Sequence, residues 1–79
     1  MAMQPIYDRI RHAIDASPRN AYTAELHLQI IKYADMLENV SGREFCEGVG
    51  LTPSFGVEFA KMRKIAPRLV GAGLDPAKI

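Results

Sequence analysis

Ile6, Tyr7, Ile10, Ala13 and Ile14 recur in the three- and four-residue steps that line one face of a helix, while Asp8, Arg9, Arg11, His12 and Asp15 fill the other side. Pro5 suits the first turn, where a missing N–H costs nothing. The pattern predicts an amphipathic helix ending near Ala16, followed by a break at Ser17-Pro18-Arg19-Asn20. A second stripe runs through Leu26, Ile30, Tyr33 and Leu37, with Ala34 beside it. Thr23 is placed to cap this helix, and Glu25 falls in its first turn. Leu28 and Ile31 lie off the stripe, so the apolar face is wide, as in the central helix of a small bundle or one half-covered by a partner.

Ser41-Gly42-Arg43-Glu44 has the spacing of a capping box, in which the serine hydroxyl and the glutamate carboxylate each take a backbone N–H of the other residue. The short helix that follows must stop at Gly48-Val49-Gly50, where Gly50 can adopt the left-handed conformation of a helix C-terminus. Thr52-Pro53 predicts an immediate restart, with threonine as cap and proline in the first turn. Phe55, Phe59, Met62 and Ala66 share one face of this fourth helix. Pro67 predicts a kink or a new short helix reaching about Val70. No stretch alternates apolar and polar residues over strand length. The expectation is therefore all-α: one compact domain over residues 1–79, with four to five helices.

Length adds a constraint. A chain of this size buries only about 60% of its unfolded surface, and oligomerisation is one ordinary remedy. The single cysteine, Cys46, excludes an internal disulfide and reads as a small buried hydrophobe rather than a nucleophile. The opening has no apolar run like that of a signal peptide, and no segment approaches the length of a membrane span, so the expected location is the cytoplasm, with no membrane partner. Net charge is only +1, but it is unevenly spread. Residues 1–51 carry five Lys/Arg against seven Asp/Glu, whereas residues 52–79 carry five against two. An anionic partner would therefore meet the C-terminal part.

Candidate chemistry is sparse. His12 and His27 lie on separate helices without matching ligand spacing, so no metal is expected. Gly48-Val49-Gly50 has neither the preceding strand nor the third glycine of a nucleotide loop. A bundle this small leaves little room for a pocket of convergent polar groups, and neither a catalytic residue nor a cofactor is expected.

What remains is two helices joined by a short glycine-containing turn. Over FCEGVGLTPSFGVEF the chain resembles the helix-turn-helix motif: Cys46 stands at its small position, Gly50 at its turn glycine and Leu51 at the apolar residue after it. Thr52-Pro53-Ser54 opens the second helix, and Phe45, Val49 and Phe59 fall where the family buries apolar side chains. The resemblance is to small helix-turn-helix or helix-turn-helix-like proteins of bacteria, and it places the unit at about residues 43–64. One position departs: Gly56 stands where the family has a buried Val or Ile, so another backbone is expected to pack closely there.

The resemblance implies a DNA-binding transcriptional regulator, acting as a homodimer on duplex DNA, with residues 53–66 as recognition helix. Ser54, Val57 and Glu58 would then reach base edges, with Thr52 near a phosphate. Lys61, Arg63, Lys64 and Arg68 would neutralise phosphates. The dimer would form through helix one or the Leu28/Ile31 side of helix two. The leading turns lack the Arg, Asn and Gln that read guanine and adenine, which leaves open an alternative function as a protein-interaction module, such as an adaptor or antitoxin-like partner.

Overall fold

A computed structural model describes residues 3–79. Among them the regular structure is entirely helical: α1 (Gln4–Ala16), a 3-10 turn (Arg19–Ala21), α2 (Tyr22–Lys32), α3 (Gly42–Val49), α4 (Phe55–Gly71) and a final 3-10 turn (Pro76–Lys78). None of these helices is long and apolar enough to cross a membrane. The bundle measures 31 × 29 × 22 Å.

Helix α1 follows its pattern, burying Tyr7, Ile10 and Ile14. It ends at Ser17, whose extended backbone suits a residue before proline and whose hydroxyl donates to the Ile14 carbonyl at 2.7 Å. Helix α2 starts earlier than expected. The turn at Arg19–Ala21 feeds straight into Tyr22, so Ala21 holds the cap position without a side-chain bond and Thr23 is already helical.

Helix α2 also ends sooner, at Lys32, and consecutive turns carry the chain on to Val40. Leu37 and Val40 are still buried, so the apolar stripe continues after the helical hydrogen bonding has stopped. Arg63 accounts for the change. Its Nη1 donates to the carbonyls of Leu37 at 3.0 Å and Glu38 at 3.5 Å, and to that of Val40. Carbonyls released by the uncoiled chain thus find a charged donor on α4.

The Ser41 capping box forms with both bonds in place, the Glu44 N–H donating to Ser41 Oγ at 3.1 Å and the Ser41 N–H to Glu44 Oε1 at 3.2 Å. Gly50 takes φ 86°, and the N–H groups of Gly50 and Leu51 both donate to the Cys46 carbonyl. Helix α4 begins at Phe55, two residues after the expected start. Thr52-Pro53-Ser54 forms a tight turn in which the Thr52 carbonyl accepts from Phe55, and the Thr52 hydroxyl pairs with Ser54 Oγ rather than capping the backbone. Pro67 does not end α4, which continues unbroken to Gly71. Its ring is exposed while its neighbour Ala66 is buried, so the lost hydrogen bond falls away from the dry core.

Helix α2 is central, packing on α1 and α4, and α3 packs on α4 and α1. At the centre the Phe45 and Phe59 rings stack 4.4 Å apart, and Tyr7 meets Phe45 edge-on at 6.2 Å. Ile31 is only 8% exposed while Leu28 is open, so the Leu28/Ile31 side of α2 is half closed within the fold.

Candidate nucleic-acid interface

The α3-turn-α4 unit is set by glycines at its contacts. The starts of the two helices meet backbone to backbone: a Cβ on Gly42 would stand 3.1 Å from the Gly56 Cα and carbonyl oxygen, and one on Gly56 would stand 3.8 Å from Gly42. The close approach expected at Gly56 is therefore present, and Gly42 is the tighter partner. Gly48 lies under the Tyr7 ring, where a Cβ would come within 2.3 Å of the ring carbons. Cys46 fills its small position in the core, and burial pushes its thiol pKa up, which disfavours the nucleophilic thiolate.

From this base α4 presents a continuous outer stripe. Ser54, Val57, Lys61, Lys64 and Arg68 alternate in steps of three and four and are all exposed. A rise of about 1.5 Å per residue spreads Val57 and Arg68 over roughly 16 Å. Val57, at 59% exposure, is one of the two most open large apolar side chains. Lys61, Lys64 and Arg68 make no ion pair among the described residues. Thr52 and Ser54 are exposed at the leading edge, their hydroxyls 2.9 Å apart.

Two of the expected contact residues are turned to other uses. Glu58 Oε1 lies 3.0 Å from His27 Nε2, tying α4 to α2 and holding the carboxylate back from the outer stripe. The Arg63 guanidinium sits 4.7 Å above the Phe59 ring and donates to the 37–40 carbonyls. Neither partnership has a local sequence signal, since the partners lie 31 and 26 residues apart.

The structure also adds residues that sequence reasoning passed over. Arg43 follows Gly42, beside the start of α4; its side chain is 87% exposed and its Nε lies 3.7 Å from Glu47. Arg11 reaches from α1 to the turn, its Nη1 donating to the Gly50 carbonyl at 3.3 Å, while Asp15 steadies the other side of the guanidinium. Arg43 was legible as a charged residue in a first helical turn, but its proximity to α4 was not.

A compact four-helix bundle, with a capped short helix, a left-handed glycine turn and a second helix exposing a basic stripe, is a helix-turn-helix-like domain. The chain belongs to the family described as an HTH-like domain, whose model matches residues 2–72. No curated protein and no solved structure matches it.

Proposed function

We propose that this protein binds duplex DNA through the outer face of α4 and acts as a small transcriptional regulator. One observation carries the reading: on the second helix of a helix-turn-helix-like unit, three cations without an ion-pair partner among the described residues stand in line with the exposed Ser54 and Val57. Lys61, Lys64 and Arg68 supply phosphate contacts, which provide most of the affinity and little of the sequence preference. Arg43 extends the basic surface beyond the start of α4. Ser54 and Val57 are the groups left to meet base edges, because Glu58 is held by His27, and Arg63, held by the 37–40 segment, is withdrawn from the phosphate contacts. A homodimer with its two α4 helices one DNA turn apart would suit paired half-sites.

Fluorescence anisotropy with a mixed-sequence duplex at two salt concentrations tests the reading. Three phosphate contacts predict a log–log slope of about −3. Absence of binding at low salt would overturn it. A K61A/K64A/R68A variant should flatten that slope, whereas unchanged salt dependence would remove these residues from the interface.

A second reading, as a protein-interaction module, draws on the exposure of Ile65, Leu69 and Val70 along the C-terminal half of α4 and of Met36 in the turns after α2. A stoichiometric protein partner bound by a chain that ignores DNA would favour it.

A further inference from the structure

Glu58 is the one acidic residue of α4, and it stands in the first turn. Ser54 four residues before it and Lys61 three residues after it are its neighbours on the side of the outer stripe, because such spacings share a helix edge. A carboxylate at this place has two courses. Turned outward, it pairs with Lys61 and opposes any phosphate that approaches the stripe. Turned inward, it meets α2.

The structure shows the second course. Glu58 Oε1 lies 3.0 Å from His27 Nε2, and both side chains are partly buried between α2 and α4. Lys61 makes no ion pair among the described residues. An imidazole N–H donates to a carboxylate whether the ring is neutral or charged, so this hold needs no change of protonation.

We propose that His27 is a positioning residue for DNA binding: it holds the Glu58 carboxylate against α2, which leaves Lys61 available to phosphate and the leading turn of α4 clear of negative charge. This role rests on duplex binding through the outer face of α4. It adds to that reading an affinity determinant on α2 rather than on the contact helix itself.

Anisotropy titrations of four chains against one mixed-sequence duplex test it: the unaltered protein, H27A, E58Q and H27A/E58Q. H27A releases the carboxylate and should weaken binding about fivefold at low salt, through pairing with Lys61 and screened repulsion from phosphate. The deficit should shrink as salt rises. E58Q should bind much as the unaltered chain does, because the carboxylate is already withdrawn. H27A/E58Q should recover the affinity that H27A loses. Both H27A and the double variant lack the contact between α2 and α4, so a purely structural role for His27 would leave both weak.

Undiminished binding by H27A, no recovery in the double variant, or a gain in E58Q as large as the loss in H27A would each overturn the proposal while the unaltered chain still binds duplex. No binding by the unaltered chain would remove the DNA reading itself, and this role with it.

Discussion

The two long faces of α4 carry side chains of the same charge and employ them in opposite ways. On the outer face Lys61, Lys64 and Arg68 are open and, among the described residues, unpaired, one or two helical turns apart. On the inner side Arg63 lies against the Phe59 ring and satisfies carbonyls of the segment that joins α2 to α3. Counting cations along the helix treats the four as one basic patch. The structure divides them into three groups that water now solvates and an anion can reach, and one whose partners are already inside the protein. Guanidinium geometry explains which residue was taken, since a planar fork that stacks on an aromatic ring can meet neighbouring carbonyls from one position.

This contrast is open to direct attack. The largest effect should come from Arg63→Ala, which leaves the Leu37 and Val40 carbonyls without their charged donor and uncovers Phe59. We expect a loss of about 2–3 kcal/mol in urea unfolding, with Arg63→Lys restoring only part of it. A loss below the scatter of ordinary surface substitutions would place Arg63 with the outer stripe after all.

The glycine contact that sets the direction of α4 comes next. Gly42→Ala pushes against backbone, which cannot rotate aside, and should cost about 1–3 kcal/mol while displacing the outer stripe. Gly56→Ala meets only ordinary contact distances and replaces a helical glycine, so it should stabilise by about 0.5–1 kcal/mol. Similar behaviour of the two variants would contradict the asymmetry of the contact.

Alkaline pH probes the core beneath the inner face. Burial raises the pKa of the Cys46 thiol; the Tyr7 hydroxyl is raised mainly by burial and further by the Glu44 charge. Between the ordinary and the raised value the folded chain holds a proton that the unfolded chain has lost. Stability is therefore fully present below the ordinary thiol range and falls as pH rises above about 8.5, with Tyr7 contributing at higher pH. Cys46→Ala should flatten the first part of that decline in thermal melts taken across the pH series.

The smallest stability effect belongs to the outer stripe. Lys61→Ala, Lys64→Ala and Arg68→Ala should each change folding free energy by no more than about 0.5 kcal/mol, even as their combination weakens duplex binding. A large loss of stability from any of them would show a structural partner on the face treated as free.

Elements governed by near neighbours were readable from the chain. The Ser41–Glu44 box, the left-handed Gly50 and the face of α1 depend on groups within four residues of each other, or on the steric freedom of one residue. The end of α2 was not readable, because Leu37 extends the helical stripe while Arg63 provides an alternative for the carbonyls that the helix would have used. At Pro67 the proline rule announces a kink, but its effect depends on whether the freed carbonyl faces core or solvent, and Pro67 is exposed.

The candidate interface divides along the same line. Sequence by itself determined an all-helical chain, the short capped helix, the glycine turn and the spacing of Ser54, Val57, Lys61, Lys64 and Arg68, since helical geometry follows from residue order. Only the tertiary structure decided that Glu58 is held by His27, that Arg63 serves the fold, and that Gly42 rather than Gly56 is the tighter contact. These depend on distances between groups 14 to 31 residues apart. Such distances are set by how helices pack, and a pattern along one helix holds no information about what its neighbour presents.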